Sequence, residues 1–192
     1  MELESYLRQM SDAMLRIDCG QVLDLVDRIE RVYRDGRTLF LIGNGGSGAN
    51  ASHFCEDLGK GTLSDFERQR RLRVISLTDN TPYILAWGND EGFERIFVEQ
   101  LRNLARPGDL LVGISCSGNS PNVVRAFEWA RAGGLETYAM TARSGGRLAG
   151  LADGCLRPST DDVGDAEALH AIVLHYVIHE LHERFARIGL PA

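Results

Sequence analysis

Leu110-Leu111-Val112-Gly113-Ile114-Ser115-Cys116-Ser117-Gly118-Asn119-Ser120-Pro121 decides how this chain folds. The apolar run has the length of a strand. Ser, Gly and Asn then break it, and Ser120 before Pro121 opens a helix with proline at the first helical position. The same order of strand, small-residue loop and helix start recurs at Leu39-Phe40-Leu41-Ile42-Gly43-Asn44-Gly45-Gly46-Ser47. Each loop leaves backbone N–H groups unpaired at a helix N-terminus, where the helix dipole favours an anion. Gly45 and Gly46 permit close approach of the backbone, and Ser47, Ser115, Ser117 and Ser120 add hydroxyl donors. A single glycine turn after a strand is commonly structural. Two serine-bearing turns in one short chain read as two walls of a phosphate-ester site.

Outward from these loops the chain alternates. Strand-like runs fall at about 38–42, 73–77, 110–114, 135–141 and 154–157. Helical patterns lie near 48–59, 82–87, 93–105, 121–132 and 145–152, with a last helix over about 165–187. This alternation predicts an α/β fold: a doubly wound, five-stranded parallel sheet covered on both faces. Its ligand site would lie beyond the C-terminal ends of the strands, where both loops open. Before the first strand, Leu3, Tyr6, Leu7, Met10, Met14 and Ile17 recur at helical spacing. Val22, Leu25, Val26, Ile29, Val32 and Tyr33 continue the stripe with a phase shift near Gly20. That stripe must pack on its own sheet or on another subunit. Residues 1–192 therefore read as a single domain, with 1–36 an N-terminal helical extension and 37–192 the α/β core.

A net charge of −6 disfavours nucleic acid as a partner, so an anion must be held by local geometry. There is no apolar run of about 18 residues, so no membrane span is expected. The start, Met1-Glu2-Leu3-Glu4, lacks the cationic and apolar segments of a signal peptide. Cys19, Cys55, Cys116 and Cys155 form no C-x-x-C pair and lie within or beside apolar runs, as free buried thiols of a reducing cytosol do. Cys116 lies inside the second loop, with no neighbouring base in sequence.

Titratable residues gather on two helical stretches. His53 and Asp57 are i, i+4 neighbours just beyond the first loop. That spacing suits joint metal ligation or an acid–base pair, and equally a solvated ion pair. The last helix carries Glu167 and four of the five histidines, His170, His175, His179 and His182. Val173, Leu174, Val177, Ile178 and Leu181 form its core stripe, and His179 and His182 read as edge residues. His170 and His175 fit either role. Eight residues separate Glu167 from His175, about 12 Å along a continuous helix, too far to share one ion. Either the helix starts after Glu167, or the two serve sites on different subunits. Between the loops, Asn89 and Asp90 suit sugar hydroxyls, or Asp90 caps the helix of Phe93, Ile96 and Phe97.

Taken together, these residues resemble the sugar isomerase (SIS) domain proteins, and within them the phosphoheptose isomerases. The likeness spans nearly the whole chain. It rests on Gly43-Asn44-Gly45-Gly46-Ser47, His53-Phe54, Gly88-Asn89-Asp90, Gly92-Phe93, Arg106-Pro107-Gly108-Asp109, the Ser115 to Val123 loop and the His170/His175 helix. The resemblance implies a flavodoxin-like five-stranded SIS fold in a cytoplasmic homotetramer with sites between subunits. It implies an aldose–ketose isomerase that turns sedoheptulose 7-phosphate into a manno-heptose 7-phosphate through an ene-diol, with one zinc or other divalent ion per site. By the same resemblance, Ser115, Ser117 and Ser120 hold the phosphate, and Asn44, Gly45, Gly46, Asn89 and Asp90 line the sugar. Ser47, Cys116, Asp57 and Glu167 complete the substrate-contacting set. The metal positions fall on His53, Asp57, Glu167 and His175, and the catalytic ones on Asp57 and His175. Asp57 stands where the family has glutamate, which shortens its reach by roughly 1.5 Å. Glu167 stands where the family has glutamine. Relatives of this kind also include non-catalytic phosphosugar-binding regulators and isomerases of other phosphosugars, so both remain alternatives.

Overall fold

The computed structural model describes residues 2–188; Met1 and residues 189–192 lie outside the described part. Five parallel strands form one sheet in the order β2-β1-β3-β4-β5. They are β1 (Thr38–Gly43), β2 (Arg73–Ser76), β3 (Leu110–Ile114), β4 (Glu136–Met140) and β5 (Gly154–Leu156). Alternation along β1 explains why both faces are covered. Leu39 and Leu41 enter one apolar cluster, while Phe40 and Ile42 enter the other, as a period-2 strand requires.

The first cluster is closed by α2 (Cys19–Asp35), α3 (Gly45–Lys60) and α8 (Val163–Ile188). The second is closed by α5 (Val98–Leu104), α6 (Pro121–Ala132) and α7 (Leu148–Leu151). Partly buried Ile84 and Trp87 of α4 (Thr81–Asp90) pack against it. The doubly wound architecture is the one expected. From β1 the chain crosses to β2 on one side, then to β3 on the other, so the strand order reverses between β1 and β3. Gly43 is in register with Ile114 there, and the two glycine/serine loops leave the sheet side by side at that switch point.

Several boundaries differ from the sequence reading. The N-terminal stretch is two helices, α1 (Leu3–Leu15) and α2. Asp18 Oδ1 accepts from the amides of Gly20 and Gln21 at 2.8 and 3.2 Å, and this cap starts α2. Helix α1 does not lie on the sheet: only Met10 of it is buried, and Leu3, Leu7, Met14 and Leu15 face water. The expected helix over 93–105 is a 3-10 turn (Phe93–Arg95) followed by α5. The one over 145–152 shrinks to α7, because Gly145 and Gly146 adopt positive φ. Asp90 is the last residue of α4 and caps no helix. Of the four free cysteines only Cys116 is buried, and Cys19 is exposed at the start of α2. Among the described residues no helix is long and apolar enough to cross a membrane.

Candidate active site

Two helices begin, uncapped by side chains, at one cavity. Asn44 occupies the cap position of α3 but makes no cap hydrogen bond. Its amide is committed sideways to Asn122, in a reciprocal pair of 2.9 Å hydrogen bonds. Ser120 occupies the cap position of α6 and likewise makes no cap bond. Its hydroxyl instead lies 3.1 Å from that of Ser115. The first amides of α3 thus keep their donors free, as anion binding at helix N-termini requires; α6 offers fewer, since Pro121 has no N–H and Val123 N donates to Asn122 Oδ1 at 2.9 Å. The cavity, about 190 Å³, is lined by Asn44 and Ser47 of the first loop, Ser115, Cys116, Ser117 and Ser120 of the second, and Glu167 of α8. Gly45 and Gly46 are exposed and are not among its lining residues. Asn122 was missed by the sequence reading. Its signal is an amide in the first turn of a helix, buried to 1% and therefore obliged to find a partner.

Gly118, at φ +61°, lets the second loop turn. A Cβ there would strike the Gly145 carbonyl, so this loop touches the Gly145–Gly146 turn backbone to backbone. Cys116 Sγ is 3.8 Å from Ser47 Oγ, and burial pushes its thiol pKa up, which keeps it protonated and unreactive.

Helices α3 and α8 pack in parallel, and their seam carries the titratable residues. At its N-terminal end the Glu167 carboxylate covers Gly46, where a Cβ would collide with it. Oε1 of Glu167 accepts from Ser47 Oγ at 3.3 Å, and its backbone carbonyl accepts from Asn50 Nδ2 at 3.0 Å. Farther along, Asp57 Oδ2 lies 3.3 Å from His53 Nε2 and 3.7 Å from His175 Nδ1. The two imidazoles stand edge to face with centroids 5.1 Å apart. Donor atoms of all three residues lie within 4.8 Å of one another. At the far end, His182 Nδ1 meets the Gly61 carbonyl at 3.0 Å, a structural contact. His179 is exposed, and His170 is buried in the core.

The structure therefore joins His53, Asp57 and His175, but it does not bring Glu167 to them within one protomer. Helix α8 is continuous from Val163, before Glu167, so the alternative of a later helix start is removed. Asn89 and Asp90 do not reach the serine cavity either. They sit exposed at the end of α4, with Asn89 Nδ2 donating to Asp90 Oδ1 at 2.8 Å.

The SIS domain family model matches residues 5–142. The probable phosphoheptose isomerase of Thermoplasma acidophilum is 37% identical over 186 residues, covering 96% of this chain and all of that protein. The phosphoheptose isomerase of Roseiflexus sp. is 38% identical over 164 residues, 85% of this chain and 81% of that one. Among solved structures, a phosphoheptose isomerase from Francisella tularensis superposes with a TM-score of 0.87 at 27% identity, over 94% of this chain and 96% of that one. Phosphoheptose isomerase GmhA from Neisseria gonorrhoeae gives 0.86 at 27% identity, over 94% and 97%. With this fold, these uncapped helix starts and these relatives, the chain belongs to the phosphoheptose isomerases of the SIS domain family.

Proposed function

We propose that the protein is a cytoplasmic, homotetrameric aldose–ketose isomerase that converts sedoheptulose 7-phosphate into D-glycero-D-manno-heptose 7-phosphate. The observation that carries this reading is the convergence of two helix starts without side-chain caps and four serine hydroxyls on one cavity, beside a seam that carries a carboxylate between two imidazoles. The free cysteines suit a reducing compartment.

The cavity grips the ester and positions the rest of the sugar, so binding energy remote from the reacting carbons is used to orient them. Asp57 removes a proton from C1 of the ketose while the C2 oxygen gains one, giving the ene-diol. Protonation at C2 and loss of the proton on O1 then give the aldose. The Nδ1 of His175 faces Asp57, so its Nε2 is the atom left to carry protons to and from the substrate oxygens. The donor set of His53, Asp57 and His175, two nitrogens and one carboxylate oxygen, fits a zinc or other divalent ion with a coordination position open. Such an ion, when bound, would polarise the carbonyl and spread charge on the ene-diol.

Distance decides how many subunits one site needs. Asp57 follows Ser47 by ten residues of α3, about 15 Å along the helix. With carbon–carbon bonds of about 1.5 Å, an extended heptose 7-phosphate places its reacting carbons only about 10 Å from phosphorus. One protomer's serine cavity and its own Asp57 are therefore too far apart to share a substrate. The reading follows that each site takes the cavity, with Glu167, from one copy and the His53/Asp57/His175 cluster from another.

The test is NMR of wild-type protein with added zinc, which is expected to convert sedoheptulose 7-phosphate. Binding without turnover would instead favour a phosphosugar-binding regulator, and turnover of a different ester would favour an isomerase of another substrate. Asp57→Asn and Ser117→Ala proteins, each inactive or weakened alone, regain about a quarter of wild-type activity after unfolding and refolding as a mixture, by random pairing of intact halves. No regain would place both halves in one protomer.

A further inference from the structure

His170 is buried at 0% exposure, one turn beyond Glu167 on α8, and no step above uses it. Its Nε2 lies 3.0 Å from the carbonyl oxygen of Thr141. A carbonyl only accepts, so the proton is on Nε2, and Nδ1 is left a buried acceptor with no partner among the described residues. A side chain needed only for packing would not carry that unpaired nitrogen, since an orphaned buried acceptor costs stability.

The Thr141 carbonyl sits where β4 meets the second anion loop. On either side of it, Ser115 N donates to Met140 O and Ala142 N donates to Cys116 O, both at 2.9 Å. These two bonds extend the β3–β4 ladder past the end of the sheet and into the serine loop. Beyond them, Leu148 N donates to Gly118 O at 3.0 Å, and Arg147 N donates to Asn119 Oδ1 at 3.0 Å. The loop from Ser115 to Asn119 therefore hangs on the segment from Met140 to Leu148. Ala166, one turn before His170, packs with Cys116 and Ala142 beneath it. Thr141 itself is tied to β5 through its N–H, which donates to Leu156 O at 3.0 Å. From α8, His170 supplies the hydrogen bond to its carbonyl.

We propose that His170 is a positioning residue for phosphate binding. Its Nε2–H holds the Thr141–Ala142 peptide in the orientation that presents Ser115, Ser117 and Ser120 to the ester. This rests on the reading of the serine cavity as the phosphate site, and it assigns a role to a residue that does not touch substrate.

The test uses His170→Leu, which keeps bulk and removes the donor, and His170→Gln, whose amide nitrogen can occupy the place of Nε2. Binding of inorganic phosphate and of sedoheptulose 7-phosphate is measured by calorimetry, with KM and kcat alongside. Loss of the donor is expected to weaken both ligands about tenfold, the size of one net hydrogen bond. KM should rise while kcat changes less, and His170→Gln should restore affinity to within about threefold. Wild-type affinity in folded His170→Leu would overturn the proposal, as would equal weakening in both variants. If His170→Leu does not fold, His170→Asn decides. Its amide is too short to reach Thr141 and should bind phosphate more weakly than His170→Gln; equal binding by the two would overturn the proposal. Failure of the wild type to bind either phosphate ligand would instead sink the phosphate reading of the cavity, which separates the two failures.

Discussion

The two ends of the α3/α8 seam differ in kind. At the Glu167 end the parts interlock: a carboxylate rests on a glycine, a hydroxyl and an amide bind it, and the anion loops close above. At the His53/Asp57/His175 end the parts stand open, with side-chain exposures of 56%, 26% and 54%. Titratable groups left this wet interact weakly with one another and control water poorly. On the proposed reading, the binding half of the site is complete within one chain, while among the described residues nothing covers the half assigned to proton transfer.

The sharpest way to break this contrast is Asp57→Asn. Loss of a general base should lower kcat by about 10²–10⁴-fold. Calorimetric affinity for inorganic phosphate should barely move, because on the proposed reading Asp57 acts at the far end of the sugar, about 10 Å from the ester. A parallel loss of affinity would show that the two ends are one unit. Ser117→Ala attacks the other end: removing one donor to a charged oxygen should raise KM about tenfold or more and leave kcat less affected.

Acid sharpens the comparison from the buried side. Burial pulls the His170 pKa down to about 4 from 6.5. As pH falls below 6.5 the unfolded chain takes up the proton first, so stability is full above 6.5 and drains away towards 4. Urea unfolding should lose about 2 kcal/mol between pH 6.5 and 5 in the wild type, and that component should vanish in His170→Gln. Smallest is Glu167→Gln. Its carboxylate lines the cavity that receives the ester's negative charge. Its neutralisation should tighten inorganic phosphate about threefold at low salt, with the gain shrinking as salt rises. Weaker binding would mean that Glu167 is held neutral or bridged by a cation.

The sheet was legible because its signals are local. Leu39 to Ile42 and Leu110 to Ile114 are uninterrupted apolar runs, and each is followed by the residues a helix start needs. The loop residues that line the cavity follow directly from them. What could not be read is set by pairs far apart in sequence. The amide pair of Asn44 and Asn122 spans 78 positions. The separation of Glu167 from Asp57 comes from parallel helix packing, which places residue 167 beside 47 and residue 175 beside 57. One of the two readings of Asp90, as a cap, rests on the helical spacing of Phe93, Ile96 and Phe97. The positive φ of Gly92 and the 3-10 turn after it break that helix. His170 and His175 are equivalent in composition, and only tertiary burial tells a core imidazole from a surface one.

Helix α1 turns Leu3, Leu7, Met14 and Leu15 outward and is tethered to α8 at Gln9, whose amide donates to Asp165 at 2.9 Å. Such an adhesive strip makes solitude hazardous for a lone copy of the chain. Diluted or newly synthesised copies would stick to whatever apolar surface they meet first, so this enzyme's working life in the test tube should lengthen as its own concentration rises.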